Sequence, residues 1–364
     1  MTLAEMIDSP LLRTSRLGPT DYWNDSCAVA DLAYAIERGA VGATSNPPIV
    51  LEVISKEKAY WVPRVQELAA AHPMWTEREV AWAVVGEMGV RGAALLADIH
   101  RRTDGRQGWL SLQVDPANHA VADRMVDQAL HLAGLAPNIQ VKFPVTAAGI
   151  VAMEEATALG VNINATVSFS VPQAIAAAEA IERGLVRYEA TGGDVQRLAP
   201  VVVIMIGRLD DWLKVVADRD MLAITPGVLD WAGIATIKRA HAMFSEQGFR
   251  SRLLAAAFRH HLHWTELVGG NVKLTIPPAW QVRFNASGLE PTNRLDLPVD
   301  PAILAELCSI PDFRRAYEPD GLTPDEFSSF GATARTLRGF IKAFRDFEGV
   351  VHDIVLPNPD IHAA

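Results

Sequence analysis

The segment IQVKFPVTAAGIVAMEEATALGVNINATVSF, residues 139–169, contains the pattern that decides the fold. A short apolar run, Ile139–Val145, is followed by Ala147–Leu159, which has the spacing of an amphipathic helix, and then by a second apolar run, Ile163–Phe169. Apolar strands separated by helices are typical of a parallel sheet, because such a sheet is covered on both faces. The segment therefore predicts one β-α-β unit.

The same alternation of apolar runs and helical segments extends to both sides of this unit. A weaker first strand ends near Asp25, Pro172–Arg183 has helical spacing, and further candidate strands lie at Val41–Ser45, Trp109–Val114, Val201–Ile206, Leu253–Phe258 and Val272–Ile276. Eight strands in roughly 260 residues favour an α/β fold of the (β/α)8 TIM barrel type over a doubly wound sheet. No GxGxxG motif follows a strand, which argues against dinucleotide binding.

We expect a single barrel domain over residues 1–364, with its core at about 18–280. The segment at about 52–92 is long for one βα unit, so it predicts extra helices after the second strand. A C-terminal helical extension is expected at about 285–364, and its helical pattern at Phe330–Phe347 predicts a helix packed across the barrel.

Composition limits the partners and the compartment. The 364-residue chain has 49% hydrophobic residues, a net charge of −10 and a pI near 5.5, which argues against nucleic acid as a partner. Cys27 and Cys308 form neither a disulfide framework nor a zinc motif. Because no signal peptide and no uncharged apolar run of membrane-spanning length occur, we predict no membrane partner and a cytoplasmic location.

Polar residues at strand ends are the candidate site residues, since a barrel carries its chemistry there. Lys142 interrupts an apolar strand; it is either a desolvated nucleophile or a lysine that reaches solvent. Ser45 and Asn46 end the second strand, where the amide is either a ligand for a sugar hydroxyl or a turn former. Asn164 and Thr166 alternate on one strand face and are either inward ligands or a satisfied core pair.

Two arginines follow strands and supply positive charge at the same rim. Arg208 and Arg259 are suited to bind a phosphate through charge-assisted hydrogen bonds. The alternative is pairing with surface acids, and Arg208 has Asp210 and Asp211 close by.

A histidine run follows the seventh strand. His260, His261 and His263 lack the spacing of a zinc motif, and no inward carboxylate is evident beside them. We therefore predict no metal.

Six motifs in order carry a resemblance to a known family: GATSNPPIV (42–50), VKFPVTAAG (141–149), INATVSFS (163–170), MIGRLDDW (205–212), AAAFR (255–259) and KLTIPP (273–278). From Asp25 to about Pro278 the chain resembles the transaldolase family of class I Schiff-base barrels, including its fructose-6-phosphate aldolase branch. The resemblance implies a sugar or sugar-phosphate substrate, carbohydrate metabolism in the pentose phosphate shunt, and no cofactor.

The resemblance also implies a role for each matching residue: Lys142 as the Schiff-base nucleophile, Asp25 as acid/base partner, Thr166 as holder of the catalytic water, Ser45, Asn46 and Asn164 as substrate binders, and Arg208 with Arg259 as the phosphate site.

Four positions depart from the family pattern. Gln113 stands where transaldolases have a glutamate acid/base and the aldolase branch has glutamine, and Met205 stands where that branch uses a tyrosine. An amide positions water but does not accept a proton at neutral pH. Val203 and Ala257 replace two serines that assist phosphate binding in transaldolases. The resemblance therefore implies a weakened or reshaped anion site.

The sequence thus predicts a transaldolase-like enzyme that transfers a dihydroxyacetone unit from a ketose to an aldehyde. One alternative is aldol cleavage or synthesis, as in the fructose-6-phosphate aldolase branch. Another is a sugar-phosphate-binding barrel without catalysis. We also expect a homodimer.

Overall fold

A computed structural model describes residues 6–360 of the chain. Eight strands form a closed barrel in chain order, and every neighbouring pair is parallel. The strands are β1 (Asp21–Asn24), β2 (Gly42–Thr44), β3 (Trp109–Gln113), β4 (Ile139–Pro144), β5 (Ile163–Thr166), β6 (Val201–Ile204), β7 (Arg252–Ala255) and β8 (Val272–Ile276). This confirms the predicted TIM barrel.

Helices alternate with the strands and surround the barrel. They are α1 (Pro10–Arg16), α2 (Val29–Ile36), α3 (Pro47–Lys56), α4 (Lys58–Ala71), α5 (Glu77–Arg102), α6 (Ala122–Ala133), α7 (Ala147–Ala158), α8 (Val171–Ala190), α9 (Ile206–Arg219), α10 (Ala232–Gln247), α11 (Leu262–Thr265), α12 (Pro278–Asn285), α13 (Pro301–Cys308), α14 (Pro311–Tyr317) and α15 (Gly331–Val355). Extra helices follow both β2 and β8, as predicted.

Capping residues start several helices directly after the strands. Asn46 and Thr146 accept hydrogen bonds from backbone N–H groups of the first turns of α3 and α7, and Ser170 does the same for α8. Prolines occupy the first turns of α3 and α8, where a missing N–H costs nothing. These sequence features turn the chain at the carboxyl rim of the barrel.

Three strands, β5, β6 and β7, end two or three residues earlier than the apolar runs that predict them. β5 ends at Thr166 because Val167 takes a left-handed conformation with φ of 55°, and Ala257, with φ of 66°, lies just beyond β7. In β6 the ladder stops at Ile204, and Ile206 already begins α9. The remaining apolar residues of each run pack at the rim, which is why hydrophobicity alone predicts longer strands.

Helix α5 passes a length and composition test for a membrane span, the one helix within residues 6–360 to do so, but 56% of its apolar window is buried. It packs closely on β3, and a Cβ at Gly89 would come within 2.4 Å of Leu112. We conclude that α5 is a core helix.

Helix α15 is longer than the predicted Phe330–Phe347 and packs against α3, α4, α5 and α9. Its apolar face is therefore covered by helices from both sides of the barrel mouth.

Buried charges fill the barrel near the amino ends of its strands. The Asp21 carboxylate accepts a hydrogen bond from the Lys273 ammonium at 2.9 Å, and Arg252 and Gln107 also donate to it. Burial would raise the pKa of Asp21, but the charges of Lys273 and Arg252 outweigh it and lower this pKa. This cluster closes the end of the barrel opposite the predicted site.

Candidate active site

A cavity of about 300 Å³ opens at the carboxyl ends of the strands. Its wall includes the following sequence-predicted site residues: Asp25, Asn46, Lys142, Thr166, Arg208 and Arg259. The barrel therefore brings residues from six of its eight βα units to one opening, as expected of a TIM barrel.

Lys142 is buried, with 4% of its surface exposed, and its ammonium donates a hydrogen bond to the Ser45 carbonyl at 3.0 Å. Burial lowers the pKa of Lys142 to about 8, although the Asp25 carboxylate acts in the opposite direction. At neutral pH about one tenth of such a group is the free amine, far more than for an ordinary lysine. The Lys142 side chain does not extend to bulk solvent, so the interpretation of Lys142 as a solvent-reaching lysine is wrong.

Asp25 faces the same cavity. Its carboxylate accepts a hydrogen bond from the Thr44 hydroxyl at 2.6 Å, and Thr44 in turn lies 2.7 Å from the Thr275 hydroxyl. Burial raises the pKa of Asp25, while the nearby Lys142 charge opposes this shift. A carboxyl with a raised pKa is suited to exchange protons near neutral pH.

Strand register aligns three of the predicted residues. Gln113 of β3 lies opposite Lys142, and Lys142 lies opposite Asn164 of β5. Gln113 and Asn164 are buried but do not belong to the cavity wall.

Several polar atoms close to this row have no hydrogen-bond partner within the described residues. They are both amide atoms of Gln113, the amide oxygen of Asn164 and the hydroxyl of Thr166. Unpaired buried polar groups are costly and are commonly satisfied by ordered water or a ligand.

The neighbours Ser45 and Asn46 differ in position. The Ser45 side chain is buried behind the wall, in contact with the Cys27 thiol, and only its carbonyl reaches Lys142. Asn46 lines the cavity, and its amide oxygen caps α3 through the Ile49 N–H. Its amide nitrogen is therefore the side chain's only donor toward a ligand, so the turn-forming and ligand-binding interpretations are compatible.

Arg208 and Arg259 both line the cavity, but they are held differently. Arg259 donates to the Asp211 carboxylate through two nitrogens, at 3.0 and 2.9 Å. Arg208 lies over the Phe340 ring of α15, and its Nε is buried without a hydrogen-bond partner among the described residues. Burial and the neighbouring Arg259 charge lower the pKa of Arg208. Asp211 therefore pairs with Arg259 rather than with Arg208.

The residues that depart from the family pattern also lie at the site. Val203, Met205 and Ala257 line the cavity and present apolar surface to it. They share the cavity wall with the two arginines, and their side chains donate no hydrogen bond.

Sequence reasoning missed two hydroxyl residues and one buried acid. Thr44 and Thr275 line the cavity, and strand alternation places Thr44, rather than Ser45, on the same face as Asn46. The expectation of no carboxylate beside the histidines is wrong, because Asp210 is buried within 2.7 Å of the His263 ring. That contact joins segments that are far apart in sequence.

The fold and the cavity together define a (β/α)8 barrel with a buried lysine at its open end. A family profile described as Transaldolase/Fructose-6-phosphate aldolase matches residues 22–308, which are most of the chain. The chain belongs to this family.

Curated relatives are similar over part of their length. A transaldolase of Thiobacillus denitrificans is 33% identical over 205 residues, 54% of this chain and 56% of that protein. A transaldolase of Neisseria gonorrhoeae is 29% identical over 266 residues, 68% of this chain and 74% of that protein. One of Mycolicibacterium smegmatis is 31% identical over 216 residues, 57% of this chain and 56% of that protein. The chain thus spans little more than half the length of two of these relatives.

Proposed function

We propose that this protein transfers a dihydroxyacetone unit from a ketose phosphate to an aldehyde through a Schiff base on Lys142. The observation that carries the proposal is a buried lysine, with a pKa lowered to about 8, facing a cavity that also holds Asp25 and two arginines. Family membership supports the substrate class, because the matched description names sugar-phosphate chemistry.

The first step forms a carbon–nitrogen bond. The Lys142 amine adds to the ketose carbonyl carbon, and loss of the carbonyl oxygen as water gives an iminium. The positive nitrogen then accepts the electron pair of the C3–C4 bond as that bond breaks, and the C4 hydroxyl loses its proton. The products are an aldehyde and an enamine, which adds to a second aldehyde before water releases the new ketose from the lysine.

Asp25 is the proton carrier in this proposal. It is the ionisable acid of the cavity wall that acts on Lys142 electrostatically, and Thr44 orients its carboxylate. Gln113, Asn164 and Thr166 offer unpaired polar atoms that suit a bound water. In this role they position the water, and Asp25 takes the proton that the Gln113 amide is unable to accept.

Arg208 and Arg259 bind the phosphate of the ketose. Their mutual repulsion falls when a dianion lies between them, and each charge-assisted hydrogen bond contributes about 1.5–3 kcal/mol. Asn46 donates its amide to a substrate hydroxyl.

Reductive trapping tests the Schiff base and has an internal control. Lys273 is a second fully buried lysine with a pKa of about 8, but it lies at the closed end and is paired with Asp21. Borohydride with dihydroxyacetone is expected to add one adduct, mapped by peptide mass to Lys142, and none to Lys273. Lys142→Arg should abolish the adduct. Absence of an adduct on Lys142 in the folded protein would contradict the proposal and favour a barrel that binds without catalysis.

Aldol cleavage is the second candidate, favoured by Gln113, which the aldolase branch also has at this position, although Met205 replaces the tyrosine of that branch. The distinguishing assay measures glyceraldehyde 3-phosphate released from fructose 6-phosphate with and without erythrose 4-phosphate. Release that depends on the acceptor aldehyde supports transfer, whereas equal release without it identifies an aldolase. We also propose a cytoplasmic location, a role in the pentose phosphate shunt and a homodimer. Sedimentation tests the dimer.

A further inference from the structure

A buried aspartate and histidine lie directly behind the turn that carries Arg259. The Asp210 carboxylate and the His263 Nε2 are 2.7 Å apart, and both side chains are fully buried. The other ring nitrogen, Nδ1, accepts a hydrogen bond from the Arg259 backbone N–H at 3.1 Å. Asp210, His263 and the Arg259 backbone thus form one continuous chain of hydrogen bonds.

The tautomer of His263 follows from these two partners. Because the Arg259 N–H donates to Nδ1, this nitrogen carries a lone pair, and the ring proton of neutral His263 lies on Nε2. Burial lowers the pKa of His263, which keeps the ring neutral. The Asp210 carboxylate accepts a hydrogen bond from the Nε2–H group. It therefore stabilises the tautomer whose Nδ1 accepts the Arg259 N–H.

Helix α9 holds Arg259 in two ways through consecutive aspartates. Asp210 acts on the backbone through His263, whereas Asp211 binds the guanidinium directly. The other carboxylate oxygen of Asp210 accepts the Gly233 N–H at 2.8 Å, which ties the pair to the start of α10.

The same turn packs closely on the first turn of α9. A Cβ at Gly207 would lie 2.0 Å from the Ala257 carbonyl oxygen and 3.1 Å from His263, so only glycine fits there. Ala257 itself takes a left-handed conformation, φ 66°, two residues before Arg259. A non-glycine residue keeps such a conformation only when its surroundings hold it.

A metal ion is the competing use of Asp210, His260 and His263, whose potential ligand atoms lie within 4.8 Å of one another. Two ligand atoms on a tetrahedral zinc are roughly 3.3 Å apart, more than the 2.7 Å between Asp210 and His263. A metal on Nε2 would also require a proton on Nδ1, which would then face the Arg259 N–H. The hydrogen-bond geometry therefore favours a proton on His263 Nε2 over a bound metal ion.

We propose that Asp210 and His263 are positioning residues that fix the Arg259 turn so that its guanidinium faces the anionic group of the substrate. The inference rests on the proposed function, because it assigns Arg259 to anion binding. Asp210 and His263 do not themselves line the cavity.

Asp210→Asn tests the proposal by reversing the tautomer. The asparagine oxygen keeps the Gly233 contact, while its amide nitrogen donates to His263 Nε2 and moves the ring proton to Nδ1, opposite the Arg259 N–H. Calorimetric titration of the full chain with inorganic phosphate is expected to show affinity reduced about tenfold. In the unsubstituted protein, nitrogen-15 NMR of His263 should show the Nε2–H form.

A second variant separates positioning from general damage. In Asp210→Asn/His263→Asn, the asparagine oxygen at 263 takes the place of Nδ1 and accepts the Arg259 N–H again, so phosphate affinity should recover to within about threefold of the unsubstituted protein. His261→Asn, at an exposed residue of the same turn, is the matched control and should bind phosphate normally. If Asp210→Asn does not fold, the recovery in the double variant and the NMR tautomer carry the test.

Several results would overturn the inference: unchanged phosphate affinity in Asp210→Asn, no recovery in the double variant, an Nδ1–H tautomer, no phosphate binding at all, or stoichiometric zinc binding lost in His263→Ala. Trapping of dihydroxyacetone on Lys142 needs no phosphate, so it reports the Schiff base separately. An adduct in every variant with unchanged phosphate binding would therefore reject the positioning role and leave the proposed chemistry intact.

Discussion

Lys142 and Lys273 are two buried lysines of one barrel, each with a pKa lowered to about 8, and their surroundings give them different roles. Lys273 is held by Asp21 and does not line the cavity that Lys142 faces, so its ammonium is part of a separate ion cluster. Lys142 faces the cavity, and its hydrogen-bond acceptor is a neutral carbonyl. Burial lowers both pKa values, but only the open position makes an amine available to a substrate.

The pH dependence of Lys142 is predictable from its environment. Because the amine is the reactive form, its rate of modification should rise about tenfold per pH unit below 8 and level off above it. In Asp25→Asn the carboxylate that favours the Lys142 ammonium is lost, so the pH midpoint of the modification rate should move below 8. Arylation of Lys142 by fluorodinitrobenzene, followed by mass spectrometry, measures this without turnover. Glu52→Gln, also in the cavity wall, is the control and should keep the same pH midpoint. A midpoint that does not change in Asp25→Asn would exclude the electrostatic coupling between Asp25 and Lys142.

Helix α15 reaches the site from the C-terminal part of the chain. It places the fully buried Phe340 ring 5.1 Å from the Arg208 guanidinium carbon. The aromatic face attracts the cation and limits its movement. A helix outside the eight βα units thus supports one of the two arginines of the cavity.

Phe340→Leu should raise the KM for a phosphorylated ketose about two- to fivefold with little change in kcat, because it removes the aromatic face but keeps an apolar side chain. Phe347→Leu, at another fully buried phenylalanine of the same helix, is the matched control and should leave KM unchanged. Steady-state kinetics of both variants measures the difference. Equal KM changes would show that only the packing of α15 matters.

The whole molecule separates two charged regions at opposite ends of one barrel. Near the amino ends of the strands, Asp21 joins β1 to β8 and β7 through Lys273 and Arg252. Near the carboxyl ends, polar groups remain unpaired around the cavity. The closed end stabilises the fold, and the open end keeps groups free for a ligand.

Asp21→Asn should lower the free energy of unfolding by about 3–5 kcal/mol at pH 7, because it removes the carboxylate partner of the buried Lys273 and of the partly buried Arg252. The folded pKa of Asp21 is lowered, so its contribution is present above the unfolded pKa of about 4 and is lost as the pH falls through the folded value. Urea unfolding should therefore show that the free energy of unfolding of Asp21→Asn is much lower than that of the unsubstituted protein at pH 7. Near pH 3 the difference between the two proteins should be smaller. Asp8→Asn, at an exposed salt bridge with Arg13, should unfold like the unsubstituted protein at both values.

Sequence alone determined the eight strands and their parallel order, because apolar periodicity is a local signal, but it left open whether Lys142 is buried. It also indicated that Asp25, Asn46, Thr166 and the arginines belong to one rim, since all follow strands. The tertiary structure decided which acid pairs with which base. Asp211 binds Arg259 rather than Arg208, and Asp210 meets His263 across 53 residues. Such pairings depend on how distant segments pack in three dimensions, and no local pattern of residues encodes them.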